Sequence, residues 1–449
     1  MSSLSPIVEQ LTAAAQQQGA LAAEAYLQQD RMQRWRFAGL TRGRSSPEIS
    51  ADDRNEVTLS VRVYRPGGQL GAATSRADDL ASLDVDGALS AALAASEAAR
   101  ADPLVGPAMR LDIPSRGLEI DDPRRGKLSD EDRRDVISWN IGACRSVSPR
   151  IRPQRFVLSE HWQERAFASS RGVSAAERST YYGLEGCVFS TARPDRLLAG
   201  RMDSRHFSDV ASRPLGAELA GRLEAGERAA KKPSDSLPIV LEPQLIAQLM
   251  PMIIPAFDAV RIQRRESFLS DRFGTRIGPS WLHLVDDATL PSGLQTRSFD
   301  DRGVSPVPLP LIREGVASSV YLDPIQARKR DVRPTGHVRF DGQLWAGNLL
   351  LRPGSRSRNM LFADLGRYLT ALDFVEPPQL DLTSGALSMK VWLYLDGIDR
   401  GRGRLGAWQI NTTVFALFDS LTALASDQTR MGMVDTCTWI TEGLPLSAL

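Results

Sequence analysis

The chain has 449 residues, a net charge of +1, 24% charged residues and 42% hydrophobic ones. At about 150 residues per domain this length suggests about three units and is compatible with two. The near-neutral balance excludes a broad electrostatic attraction to nucleic acid or to an anionic membrane. Cys144, Cys187 and Cys437 are far apart with no CxxC pair, which fits reduced thiols rather than a disulfide framework.

The opening stretch MSSLSPIVEQLTAAAQQQG has no basic segment followed by an apolar core, so it does not read as a secretory signal and a cytoplasmic address is expected. A helix is predicted over 5–18, followed by two short strands, EAYLQQD and MQRWRFAG. In NEVTLSVRVYRPGGQLGAATS, Val57, Leu59, Val61 and Val63 alternate with polar residues and Pro66, Gly67 and Gly68 supply a turn, which predicts a hairpin. Val85, Ala88, Leu89, Ala92 and Leu93 recur at helical spacing, a helix that Asp102 and Pro103 close off.

A Pro- and Arg-rich stretch, 112–126, reads as a connecting loop. Ser129 then caps a helix whose first turn is acidic, as orphan amides and the helix dipole favour. Strands dominate from Pro153 to about Arg201, a helix is expected over 216–232, and KPSDS reads as a linker. From Leu237 on, short β-prone runs are separated by Gly, Pro and Asp, with one good helix at 408–425. The predicted class is α+β in two domains, an α+β unit over 1–232 and a strand-dominated unit over 233–449.

The familiar catalytic signatures are missing. No glycine loop has nucleotide-cradling spacing; DRGRGRLG, 399–406, with Arg400, Arg402 and Arg404 between its glycines, suits a turn. The four histidines, His161, His206, His283 and His337, are dispersed. HWQER resembles a zinc-binding HxxEH only until Arg165, which cannot ligate a cation. The pairs Asp286/Asp287 and Asp300/Asp301 have the residue type for acid/base work but read more readily as turn caps. The basic run ARKRDVR, 327–333, reads as a solvated loop. The most apolar region, 237–260, is broken by Glu242, Gln244, Gln248 and prolines, short of the roughly 18 uninterrupted apolar residues of a membrane span. Within it MPMIIP carries Pro251 and Pro255, so any helix there is short, kinked or incomplete.

From residue 264 the order of motifs resembles the TldD/PmbA family and, within it, the PmbA (TldE) branch. The carriers are Ser267, Leu269 and Gly274; Phe299, Asp300 and Gly303; Ile312 and Gly315; PTGH, 334–337; GNLLLRPGS, 347–355; and CTWITEGLPL, 437–446. GALAAEAYL, SVRVYRPGGQLGAATS and LSAALAASEAARADP extend it to the amino-terminal half. In the metal-bearing branch a helix carries HExxxH; counted from Ser267, the corresponding positions here are Met250, Pro251 and Pro255, none of which serves zinc.

The resemblance thus implies a subunit without catalytic or metal-binding residues of its own. It would pair with a zinc-bearing TldD-like subunit in a heterodimeric metallopeptidase that trims or degrades small unfolded peptides, such as leader peptides of modified peptides. This chain would contribute chamber wall and peptide binding, and no cofactor. Thr335, Gly336, His337, Ser384, Gly385 and Ser388 match elements expected to bind substrate. Met389, Lys390 and Trp392 stand where small residues are common and would narrow the chamber, and the loops at 150–175 look specialised. Two other readings are a metal-free peptide-modifying homodimer, with chemistry on the Asp pairs, His337 and Cys437, and a non-enzymatic peptide-binding module.

Overall fold

The computed structural model describes residues 3–38, 49–107, 117–192, 197–225, 236–397 and 403–448. The expected helix α1 spans Ser5–Gln17. The two short strands that follow are one, β1, Ala22–Ala38. Polar residues at 28–34 interrupt the apolar pattern, yet both edges of β1 are paired along nearly its whole length, so its backbone stays satisfied. The hairpin forms as β2, Ile49–Arg65, and β3, Gln69–Ala77, around a turn at Pro66–Gly68. Helix α2 is Val85–Ala98. Helix α3, Asp130–Val147, starts at a reciprocal Ser129–Asp132 capping box. Strands β4, Ile151–Ser169, β5, Val173–Ser190, and β6, Leu197–Ser204, precede α4, Phe207–Ser212, and α5, Leu215–Ala225. The region 150–175 is therefore mostly strand rather than loop.

These strands form one antiparallel six-stranded sheet in the order β3-β2-β1-β4-β5-β6. One face is covered by helices. Helices α1 and α2 bury Leu11, Leu89 and Leu93 against Leu27, Val57, Leu59 and Val61, while α3 and α5 bury Ile137 and Leu219 against Phe156, Leu158 and Leu184. Each fully buried aliphatic side chain contributes about 1.5–3 kcal/mol.

The region after residue 236 is rich in short strands, giving a mixed α+β chain. It holds an antiparallel-dominated six-stranded sheet through 284–287, 309–313 and 348–351, and an eight-stranded sheet through β7, Ile239–Leu241, and the long strands Ala386–Gly397 and Gly403–Thr413. Between them lies the largest core, which includes helix α6, Pro243–Ile253. Helix α6 runs two residues past Pro251 and then tightens into a 3-10 turn at Ile254–Phe257 that contains Pro255.

The helix expected at 408–425 is not there. Gly403–Thr413 is a strand paired on both sides, helix is confined to Val414–Asp419, and Leu421–Leu424 is again strand. Trp408, Ile410, Thr412 and Thr413 suit a strand, and two neighbouring strands override a period that also fits a helix. This half has further helices, Pro324–Lys329 and Arg358–Leu365 among them. The first takes in the start of the basic run, where Arg328 donates to the carbonyls of Leu104, Gly106 and Pro107 rather than pointing into solvent. The expected boundary near Lys232, the linker beside it as far as residue 235, and Arg400 and Arg402 lie outside the described residues. Among the described residues, no helix is long and apolar enough to cross a membrane.

Candidate functional site

The face of the first sheet turned away from these helices is polar over much of its length, and apolar at one end where Phe299 packs on Tyr26, Phe167 and Ala175. Strand pairing brings side chains into rows across this face: Met32, His161 and Tyr181 in one, Asp30, Gln163 and Ser179 in the next, then Gln28, Arg165 and Glu177. Two cavities open along these rows and share His161 and Tyr181. One, of about 410 Å³, is lined by Arg34, Arg36, Arg155 and Arg201 among others. The other, of about 300 Å³, lies where loops of the second half reach the sheet, bringing Gln295, Arg297, Arg339 and Trp345 to Arg165, Glu177 and Arg205.

Arginines hold this seam. Arg165, 1% exposed, pairs with Glu177 and with Asp301 at 3.2 Å, and donates to the Phe299 carbonyl at 3.0 Å. Glu177 also receives the Ser298 amide at 2.7 Å. Arg62 donates to the Phe340 carbonyl, and Arg302 to the Tyr64 hydroxyl at 3.1 Å. Asp300 closes the loop by accepting from the amides of Arg302, Val304 and Val338, and burial pushes its carboxyl up to about 6. Gly303 has φ +70°, and a Cβ there would fall 2.2 Å from the Phe167 ring, so only glycine lets loop and sheet approach this closely.

Linked to the 300 Å³ cavity through Arg297, Thr335, Gly336 and His337 are buried and Pro334 is half-buried. His337, with no exposure, sets Nδ1 2.8 Å from the Thr335 carbonyl and Nε2 3.3 Å from Asp286. The ring thus bridges the Thr335 carbonyl and the Asp286 carboxylate. Asp286 also accepts from Tyr321 and the Gly347 amide; burial alone would raise its carboxyl, but His337 and these donors hold it below the usual range. The Thr335 hydroxyl lies 3.2 Å from the Leu322 amide, and the Gly336 carbonyl accepts from Arg297 at 3.2 Å.

Ser384, Gly385 and Ser388 lie elsewhere, where an Asp381-capped turn enters the strand Ala386–Gly397. Ser384 is exposed, Gly385 has φ +73° with its Cα side against Phe268, and Ser388 accepts from Gln409 at 2.6 Å. Among the described residues no hydrogen bond joins this turn to the PTGH segment. Met389 points into the main core and fills it rather than narrowing a chamber; Trp392 lies under the Arg404 guanidinium and Lys390 pairs with Glu376.

No metal fits at MPMIIP. Met250 is wholly buried in the core, and Pro251 and Pro255 offer no side-chain donor. None of the four histidines is followed by glutamate. Among the described residues no three His, Cys, Asp or Glu side chains cluster to hold an ion. Arg205, Arg297, Arg339 and Trp345 carry no motif in the sequence, and Arg165 is notable there only as the residue that breaks the HxxEH pattern of HWQER.

The family model of the PmbA/TldA metallopeptidase central domain matches residues 127–237, and that of the C-terminal domain matches 234–447. The metalloprotease PmbA of Escherichia coli is 26% identical over 184 residues, 40% of this chain and 41% of that protein. A Methanocaldococcus jannaschii metalloprotease is 25% identical over 153 residues, 32% of this chain and 34% of its own length. The chain thus aligns with well under half of each of these relatives.

Among solved structures, TldE from Thermococcus kodakarensis superposes with a TM-score of 0.84 at 17% identity, covering 98% of this chain and 100% of that one. A Bacteroides thetaiotaomicron protein described as a candidate modulator of DNA gyrase gives 0.84 at 16% identity, with full coverage of both chains. At such identities the likeness bears on the fold. From residue 127 to residue 447 the matches are continuous, and the chain belongs to the PmbA/TldD metallopeptidase family.

Proposed function

We propose that this chain is the non-catalytic, TldE-like subunit of a heterodimeric TldD/TldE zinc metallopeptidase that trims or degrades small unfolded peptides, leader peptides of modified peptides among them. The observation that carries this reading is that MPMIIP, which the resemblance sets against the metal-binding helix, packs into the core and offers no side chain that would hold a zinc ion. Met250 belongs to the hydrophobic cluster, and by the count from Ser267 that the resemblance implies, Pro251 and Pro255 would stand at the other two positions of HExxxH. Zinc and the general base then come from a TldD-like partner, and this chain brings no cofactor of its own.

The polar part of the sheet face turned away from the helices supports a chamber-wall role, because an extended peptide needs donors and acceptors beside it. In this proposal Thr335, Gly336, His337, Ser384, Gly385 and Ser388 form the substrate-binding set, with the Gly336 carbonyl holding Arg297 at the cavity. The domains are taken as 1–232 and 233–449, and the complex as cytoplasmic. An independent enzyme using His337 or Cys437 is less well supported: both are wholly buried, and burial pushes the Cys437 thiol up to about 12.

The test is reconstitution. Cleavage of an unfolded peptide by a purified TldD-like subunit should rise at least tenfold when this chain is added. A partner that cleaves equally well alone contradicts the proposal.

A further inference from the structure

The 300 Å³ cavity at the seam has a charge imbalance that its protein contacts do not resolve. Four guanidinium groups, Arg165, Arg205, Arg297 and Arg339, line it against a single carboxylate, Glu177. Arg165 takes that carboxylate and Asp301. Arg205, 6% exposed, donates only to the carbonyls of Thr180, Gly293, Leu294 and Thr296. Arg297, 1% exposed, donates only to those of Gln295, Gly336, Trp345 and Ala346. Glu177 is near enough to act on Arg205, and Asp286 and Asp300 on Arg297, but among the described residues no carboxylate lies within ion-pair distance of either arginine.

Buried charge without a counter-ion is unfavourable, since carbonyl dipoles satisfy the N–H groups without cancelling the charge. Burial accordingly lowers both guanidinium groups to about 10. Among the described residues, the Nε–H groups of Arg165 and Arg297 find no acceptor.

Access is provided by Arg339. Its side chain is 40% exposed, its nearest carboxylate is Asp301 at 3.8 Å, and its guanidinium lies 3.5 Å over the Trp345 ring. Arg297 and Arg165 approach the same ring at 4.1 and 4.8 Å, and the indole N–H is fixed by Gln295 at 3.0 Å. The forks are therefore held in place before any ligand arrives, which lowers the entropy lost on binding. The volume stands at the lower end of small-ligand sites, about 300–1,000 Å³.

We propose that this cavity is an oxyanion site, with Arg339 as the entrance fork. On the peptide-holding reading above, which supplies the source though not the chemistry, the oxyanion is the carboxylate of a short peptide. Planar, bidentate pairing is the contact that arginine makes with a carboxylate or a phosphate.

The test is calorimetric titration of the full chain, without partner, in low-salt, phosphate-free buffer with three probes: trialanine, its C-terminal amide, and inorganic phosphate. Trialanine should bind at least tenfold tighter than the amide. Arg339→Gln should abolish that preference, and Arg339→Lys, which keeps charge and loses the fork, should retain part of it. Thermal unfolding checks both variants, and the lysine variant carries the test if the glutamine variant does not fold. Phosphate binding that depends on Arg339, with acid and amide alike, would keep the oxyanion chemistry and overturn the peptide source. Equal acid and amide affinities with no phosphate binding would overturn the proposal. Because no partner is present, this result is separable from partner-stimulated cleavage, which tests the subunit role.

Discussion

Gly303→Ala should be the most informative single substitution in the seam. The position has φ +70°, and the added methyl would sit 2.2, 2.5 and 2.6 Å from three carbons of the Phe167 ring. Phe167 has no exposure and is hemmed in by Tyr26, Val173, Ala175 and Phe299. The left-handed conformation costs an L residue about 1–2 kcal/mol, and overpacking a closed core costs about 1–3 kcal/mol, together about 2–5 kcal/mol. Gly274→Ala is the internal control: its φ is +78° but nothing lies within 4 Å, so only the backbone share applies. Urea unfolding followed by tryptophan fluorescence should therefore show the Gly303 variant weaker by about 1–3 kcal/mol than the Gly274 variant. A second arm pairs Gly303→Ala with Phe167→Leu, where the smaller side chain should recover at least about 1 kcal/mol as coupling energy. Equal effects for the two glycines, with no coupling to Phe167, would refute the reasoning that steric closeness shapes the seam.

Asp300 should make stability depend on pH. Its folded carboxyl is raised by burial to about 6, so the stability it contributes is complete below the unfolded value near 4 and is lost as pH rises through 6. Relative to Asp300→Asn, which does not titrate, the parent should lose up to about 3 kcal/mol between pH 4 and 7 at about 1.4 kcal/mol per unit; a pH-independent difference in denaturant unfolding would contradict this. Arg165→Met should cost about 3–5 kcal/mol by leaving the buried Glu177 without its ion-pair partner and Asp301 with only Arg339 at 3.8 Å. Arg31→Ala, which breaks an exposed pair with Asp53, should cost under about 1 kcal/mol, and similar losses for both would show that burial is not what matters. Ser129→Ala removes the capping box of α3 and should cost about 1 kcal/mol, read as lower helix protection in hydrogen exchange.

What the sequence makes legible here is local. The β2–β3 hairpin, α2 and the capped start of α3 follow from side-chain period and turn chemistry within about twenty residues. The segment 408–425 misleads because Trp408, Val414, Leu417, Phe418 and Leu421 satisfy a helical period as well; its strand character comes from pairing with 386–397 and 446–448. The family's glycines and acids are legible as a pattern, and the structure gives two of them a physical role: Gly303 permits a close approach, and Asp300 ties a loop. The arginine cavity is not legible, because β4, the loop after β6, the loop at 294–297 and the loop at 336–345 meet only in the fold. Arg205 and Arg297, each bonded to four carbonyls, have no local signature at all.

Native mass spectrometry of the tagged protein purified from its own cells tests the central claim most directly. The expected mass is that of this chain plus one HExxxH-bearing TldD-like chain and one zinc ion. A metal-free homodimer would contradict it.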